Sequence, residues 1–387
     1  MSFAHRCRRY LRYLFHHAHG RVASRALFLA LVLAHLNVLP RRLVVIGPPR
    51  TVETLNDKIG VHTRLTDEVD EWKVQRTLEM VREMGGAWVV EYFPWGYYEP
   101  SRGRYDWRHP EMVIDHALAQ GLTVIARIDF VPEWARPPET TDRYLDRAHY
   151  ADYADFVHAF VTRFRGRVRH IVIWNEPNLS FEWGYRPPNP DEYTELLCMA
   201  YERAKEADPN VEVLAAGLAP TLEPPGSEWG MNDLIYLERM YAAGAGACMD
   251  GMAVHAYGLT FPPDEPAHPD EINFARSELI HEIMARHGDG HKPCYITEGG
   301  WNDHPRWTRA VRPYQRLEYT IRAYEKVAQE WDWCHAAALW AFRYPWPQRS
   351  YQDYYTFVTP EFVPKPIYTE VANYARGRPF EYLELGP

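Results

Sequence analysis

Residues 168–178 read Val-Arg-His-Ile-Val-Ile-Trp-Asn-Glu-Pro-Asn. A short apolar run ends in a carboxylate, Glu176, and Pro177 stops the strand because its ring removes the backbone donor a ladder needs. Residues 292–301 repeat the layout as Lys-Pro-Cys-Tyr-Ile-Thr-Glu-Gly-Gly-Trp, where Glu298 closes an apolar run and two glycines turn the chain. One such glutamate reads equally well as a solvated loop residue or half of a salt bridge. Two of them, each at an apolar strand end and each followed by a breaker, read as a pair with a shared task.

Working outward, β-rich runs alternate with amphipathic stretches from about residue 58. The expected strands are 59–63, 87–93, 122–128, 168–174, 211–216, 251–255, 293–297 and 336–342. Helical spacing, with apolar residues three and four apart, covers 71–84, 110–120, 150–164, 191–207, 233–243, 269–287, 313–329 and 366–375. Strict alternation of strand and helix predicts a parallel sheet covered by helices. An open doubly wound sheet is the alternative. Eight strands over this length favour closure into a single α/β (β/α)8 barrel, spanning residues 50–387. No internal repeat, low-complexity tract or second-domain linker interrupts it.

In such a barrel all strand ends meet at one face, where an active site lies. Glu176 then ends strand four and Glu298 strand seven. His62, Tyr97, Tyr98, Tyr257, Arg343 and the tryptophans Trp95, Trp134 and Trp346 follow other strands. Trp183 and Trp301 lie just past strand ends too. As a group these rings could line a sugar groove, since aromatic faces stack on sugar C–H faces; singly, each reads as well as loop packing.

The Trp-Asn-Glu-Pro-Asn run at 174–178 and the Ile-Thr-Glu-Gly-Gly-Trp run at 296–301 resemble the signature of clan A glycoside hydrolases, and are similar to families 39 and 5. The resemblance covers about residues 58–375. It implies a retaining glycosidase in which Glu176 is the general acid/base and Glu298 the nucleophile. Asn175 matches the residue that hydrogen-bonds the sugar 2-hydroxyl. His255 and Tyr257, in Met-Ala-Val-His-Ala-Tyr-Gly, match a strand-six pair that holds substrate and orients the nucleophile, and Trp340 matches the floor beneath the reactive sugar. The clan often places an arginine on strand two; here Glu91 stands in that run, and Arg127 on strand three is the candidate for the missing charge. Trp95, Trp134 and Trp301 complete the candidate substrate contacts, and Asp129 and Glu133 flank the third strand end.

The chemistry such a pair performs is cleavage of an O-glycosidic, β-linked bond in a poly- or oligosaccharide by double displacement. One carboxylate attacks the anomeric carbon while one carboxylic acid protonates the leaving oxygen, which needs a separation of about 5–5.5 Å. Rival readings are a transglycosidase using the same residues and a carbohydrate-binding barrel that has lost activity. A metal-dependent barrel enzyme is a third, and chelation would distinguish it.

No H-E-x-x-H or similar ligand spacing, phosphate loop, dinucleotide fingerprint or G-x-S-x-G elbow is present, so neither metal nor cofactor is expected. Residues 1–50 carry nine Arg and no acid, leaving −18 on the remainder of a chain of net charge −9. An acidic body argues against nucleic acid as ligand and fits a neutral or cationic substrate, though net charge decides nothing about chemistry. The basic flank followed by an apolar run over 26–39 and a second patch to 46 reads as a signal peptide or signal anchor over residues 1–49, placing the body outside the cytoplasm. Of the five cysteines, Cys7, Cys198, Cys248, Cys294 and Cys334, none is arranged as C-x-x-C; buried free thiols are expected, with Cys248–Cys294 the one bridge considered.

Overall fold

The computed structural model describes Arg8, Arg9, Arg12 and residues 18–38, 44–344 and 349–383. The chain divides into two units, Met1–Val45 and Ile46–Pro387. In the first, one helix runs Ala18–Val38, with Leu27, Phe28, Leu29 and Leu31 exposed. Among the described residues no helix is long and apolar enough to cross a membrane. Arg41, Arg42 and Leu43 from the anticipated anchor, together with Cys7 and Trp346, lie outside the described residues.

In the second unit eight parallel strands close into a barrel: β1 (Ile59–His62), β2 (Trp88–Pro94), β3 (Thr123–Asp129), β4 (His170–Ile173), β5 (Glu212–Ala215), β6 (Gly251–Tyr257), β7 (Cys294–Gly300) and β8 (Cys334–Trp340). The last strand pairs back onto the first, Ile59 opposite Ala337 and His62 opposite Trp340. Each strand is followed by a helix that takes its number: α1 (Glu71–Met84), α2 (Arg108–Ala119), α3 (Tyr150–Arg163), α4 (Pro190–Ala207), α5 (Asp233–Ala242), α6 (Arg276–Arg286), α7 (Pro313–Gln329) and α8 (Pro366–Tyr374). The eight expected strands and helices are all present, and the closed order excludes the open sheet.

Local chemistry sets the ends. The Asn189 side chain accepts from the backbone N–H groups of Asp191 and Glu192 to start α4, with Pro190 already holding a helical φ. Asn232 caps α5 in the same way. The sixth helix begins seven residues later than its periodicity suggested, at Arg276 rather than 269. The cause is the Arg276 side chain itself. Buried against Asp233 at 2.8 Å, it donates to the carbonyls of His268, Pro269 and Glu271, which therefore turn inward instead of along a helix axis.

Side chains alternate between the helix layer and the barrel interior. Val90, Ile125, Val172, Leu214, Ala253, Tyr295, Ala336 and Ala338 form one apolar layer inside the barrel. Burying each aliphatic chain contributes about 1.5–3 kcal/mol. Two residues further along their strands stand Tyr92, Arg127, His255 and Trp340, so the apolar layer is the floor on which a polar layer rests.

The cysteine expectation needs correcting. Cys198 on α4 and Cys248, at the end of the 3-10 turn Ala245–Cys248, form a disulfide with Cα atoms 4.8 Å apart. The turn after α5 packs against α4 and brings the two together, whereas Cys294 lies on β7 inside the wall. Cys294 and Cys334 are free and buried, so the Cys248–Cys294 bridge is not formed.

Candidate active site

The polar layer holds both strand-end glutamates. Glu298 lies opposite His255 across the β6–β7 ladder, where the register shifts between Val254 and His255. Glu176 follows β4 in left-handed backbone (φ 42°), as does Trp174 (φ 75°), and its N–H donates to the Gly217 carbonyl at 3.0 Å. Positive φ in residues carrying side chains is costly and clusters at functional sites. Gly217 is needed for a further reason: a Cβ there would sit 2.4 Å from the His255 ring, which would displace the imidazole from Glu176.

Glu298 is gripped from three sides. Arg127 Nη1 donates to Oε1 at 2.5 Å, Tyr257 Oη donates to Oε2 at 2.9 Å, and His62 Nε2 stands 3.7 Å from Oε1. Burial alone would push this carboxyl up, but the charges of His255 and Arg127, His62 and the Tyr257 hydroxyl outweigh it and hold it far below its ordinary value. Burial and the Arg127 charge press His62 down to about 3, so it stays neutral beside the carboxylate. Arg127 also donates to Asn175 Oδ1 at 2.9 Å, joining the residue before Glu176 to the cation that holds Glu298.

Glu176 has a different partner. His255 Nδ1 is 2.7 Å from Glu176 Oε1. Burial disfavours a charged His255, but Glu298 and Glu176 reverse this and raise its pKa above 6.5. The His255–Glu176 pair is therefore hydrogen-bonded at the mouth of the barrel, with a proton favoured on His255. Of the strand-six pair, Tyr257 bonds to Glu298 and His255 to Glu176.

Glu176, His255 and Glu298 each place one ligand-type atom within 4.8 Å of the others. Two carboxylates and an imidazole could in principle chelate a cation. Here the Arg127 guanidinium already takes Glu298 Oε1, and a second positive charge there would be repelled, so the donor set does not fit a resident metal.

Above these groups opens a cleft of about 560 Å³ whose wall includes Trp340. A line of rings crosses it: Tyr344 to Trp340 at 5.7 Å, Trp340 to Tyr355 at 5.4 Å, Tyr355 to Tyr351 at 5.7 Å and Tyr351 to Trp307 at 4.7 Å. Of the expected residues, Glu176, Glu298, Asn175, Arg127, His255, Tyr257 and Trp340 come together at this site.

Others do not, and each has a structural task. Trp95 is fully buried, edge-on to Trp134 at 5.5 Å, with its indole N–H given to Glu99. Trp134 donates to the Glu99 carbonyl at 2.8 Å behind the same loop. Trp301 is 2% exposed and donates to the Phe261 carbonyl, and Trp183 is enclosed by Trp174 and Tyr193. Trp95, Trp183 and Trp301 are sealed by packing, so the expected sugar contacts of Trp95 and Trp301 are corrected, while Trp134 is half-buried with its indole N–H already given to Glu99. Arg343 pairs with Glu68 at 3.2 Å, and Glu133 is exposed on a 3-10 turn. Glu91 accepts from Leu65 N–H, Thr66 N–H and the Thr63 hydroxyl, tying down the loop after β1 rather than serving the site.

Sequence reasoning missed the support beneath Arg127. Asp129, fully buried, lies 3.6 Å from Arg127 Nε and 2.8 Å from Arg143 Nη1, so it positions a cation rather than contacting substrate. Arg143 reaches on to Glu182 at 3.3 Å, and both guanidinium groups lie over the Tyr92 ring, at 5.2 and 5.7 Å. Burial, only partly offset by Arg143, lifts Glu182 to about 7. Tyr92 carried a readable signal, its place two residues past the apolar layer. Arg143 and Glu182 come from loops and carried none.

No family model matches the chain, and no curated protein matches it in sequence. Solved structures do match. A family 39 glycoside hydrolase from the gut symbiont Bacteroides cellulosilyticus WH2 superposes with a TM-score of 0.65 at 18% identity, over 85% of this chain and 65% of that one. A monomeric beta-xylosidase from Caulobacter crescentus CB15 gives 0.60 at 18% identity, over 84% and 69%. The GH5_18 protein of Streptomyces cattleya, solved in complex with GlcNAc, gives 0.61 at 16% identity, over 85% and 80%. The chain thus spans just under two thirds of the first of these. At such identities the likeness is one of architecture: this chain has the closed (β/α)8 barrel found in family 39 and family 5 glycoside hydrolases.

Proposed function

We propose that the protein is a retaining glycoside hydrolase that cleaves β-linked glycan by double displacement at Glu298 and Glu176. One observation carries this reading: an oxygen of Glu176 and an oxygen of Glu298 lie within 4.8 Å of each other. Retaining enzymes hold their carboxyl groups about 5–5.5 Å apart, whereas inverting ones leave about 6.5–9.5 Å for a water. The architecture shared with known glycoside hydrolases supports the same reading.

The residues divide the work by their electrostatics. Glu298, kept ionised by Arg127 and Tyr257, attacks the anomeric carbon. The proton held between His255 and Glu176 goes to the leaving oxygen through Glu176, and Glu176 then takes a proton from the water that releases the sugar. When Glu298 is esterified its charge disappears, which removes one of the groups that favour a proton on His255. The pair therefore stays deprotonated once it has protonated the leaving oxygen, and is free to accept a proton from water in the second step. Asn175, fixed by Arg127, is in position to meet a hydroxyl of the reacting sugar, and Trp340 offers it a face.

Location belongs to the proposal too. The arginine-rich start and apolar run suit an exported protein, and the Cys198–Cys248 disulfide suits an oxidising compartment. Export of a reporter fused to residues 1–50 tests this part.

The activity test is a panel of β-linked polysaccharides and aryl glycosides, with Glu176→Gln and Glu298→Gln run beside wild type. Release of sugar by wild type, lowered in both variants by about a thousandfold or more, supports the assignment. Near-full rates in either variant contradict it. Binding without cleavage favours a barrel that only binds carbohydrate, longer products with added sugar acceptor favour a transglycosidase, and loss of activity on chelation favours metal chemistry.

A further inference from the structure

We infer that the glycan is anionic, and that Arg64 and Arg309 meet acidic substituents on sugars flanking the cleaved bond. This rests on reading the cleft as a glycan site. Among the described residues, Arg64 and Arg309 are the cationic side chains lining it, and its acidic ones are Glu176 and Glu298. Those carboxylates are already engaged, Glu298 by Arg127 and Tyr257 and Glu176 by His255, so they do not pair with the two arginines.

Arg309 is exposed and makes no ion pair with any described residue. Arg64, half-buried, touches the exposed Asp67 at 3.3 Å, and a pair open to water on that side is worth little. What fixes Arg64 is Tyr344, whose ring centroid lies 4.9 Å from its guanidinium carbon. Stacking of this kind holds the planar fork while leaving its edge donors free for an oxyanion.

Placement makes the arrangement specific. Arg64 stands at the Tyr344 end of the ring line and Arg309 two residues beyond Trp307 at the other, on loops after β1 and β7 that flank the loop after β8. Trp340 and the two carboxylates lie between. Sugar faces can stack along the rings while a negative group on either side meets a cation. The −18 carried by residues beyond 50 repels an anionic ligand elsewhere on the body, so its attraction rests on these two arginines. A neutral glycan would gain packing and hydrogen bonds to its hydroxyls from Arg309, but no charge-assisted bond.

The test is affinity electrophoresis of the full chain in the Glu176→Gln background, which stops turnover. The gel probes are alginate and polygalacturonate with their carboxyl-reduced counterparts, and dextran sulfate with dextran. At least one anionic probe is expected to bind about tenfold more tightly than its neutral counterpart, and less so in added salt. Arg309→Gln and Arg64→Gln should each cut that preference by about threefold and together abolish it, while Arg309→Lys keeps most of it. A preference confined to the uronate probes assigns a carboxylate, and one confined to dextran sulfate assigns a sulfate. Equal binding of charged and neutral probes, no binding of any anionic probe, or a preference that survives both substitutions overturns the inference. Turnover is scored apart with wild type. Acid preference without cleavage removes the hydrolase reading alone, and cleavage without acid preference removes this inference alone.

Discussion

Replacing Arg127 with methionine removes the guanidinium that holds Glu298 while keeping a long apolar stem. In the folded protein Arg127 Nη1 lies 2.5 Å from Glu298 Oε1 and 2.9 Å from Asn175 Oδ1, with both charged groups buried. Deleting one member of a buried pair costs about 3–5 kcal/mol, because the other charge stays behind without its partner. Glu298 can relieve part of that cost by taking up a proton. Burial pushes its carboxyl up, and His255, Arg127, His62 and Tyr257 together hold it below the ordinary 4.5. An opposite charge at this range accounts for about 1–3 pKa units, so the acidic limb of kcat/KM against pH should move up by that amount.

Stability follows with a defined sign. A carboxylate whose folded pKa is depressed contributes stability above its unfolded value and loses it as pH falls through the folded one. The gap between wild type and Arg127→Met is therefore full at neutral pH and shrinks below the ordinary 4.5. Urea unfolding at neutral and acid pH reads the gap, and a pH–rate profile reads the limb. Arg127→Lys, which keeps a charge, separates loss of charge from loss of fold. An unmoved acidic limb, with neutral-pH stability within about 1 kcal/mol of wild type, would refute the reasoning.

Asp129→Asn loosens the cation from beneath: kcat should fall about ten- to a hundredfold with KM little changed, and equal loss in both parameters would mean that Asp129 contacts substrate. His62, held down at about 3 against an ordinary 6.5, binds fewer protons folded than unfolded, so stability drops as pH falls between those values. His62→Gln should flatten that slope by up to about 1.4 kcal/mol per pH unit, and parallel slopes in urea titrations would show that His62 is not responsible. Breaking the Cys198–Cys248 link, which spans 50 residues, by Cys198→Ser or by reductant should cost about 4 kcal/mol on the chain-entropy account. An unchanged urea midpoint after reduction speaks against a stabilising bridge.

The barrel was legible because periodicity reports burial. Val90, Ile125 and Val172 must face the interior and α1 must show one apolar stripe, so strand and helix are written in the spacing. The two glutamates were legible because a carboxylate ending such a run is out of place unless used. Arg127 was legible by default, as the cation left when strand two offered Glu91. The tryptophans misled because ring chemistry is the same in a groove and in a core; only the third dimension shows Trp95 and Trp301 sealed off. The late start of α6 was hidden because its determinant, Arg276, bonds to residues outside the helix. Arg143, Glu182, Arg64 and Arg309 sit on loops, where no period constrains the chain.

The most direct test of the central claim is the anomeric configuration of the first-formed product, followed by proton NMR in the minutes before mutarotation, on whichever panel substrate is cleaved. Glu176 and Glu298, with oxygens within 4.8 Å, predict a product of the same configuration as the bond that was cut. A first product of opposite configuration would contradict the account, because it requires a water between carboxyl groups about 6.5–9.5 Å apart.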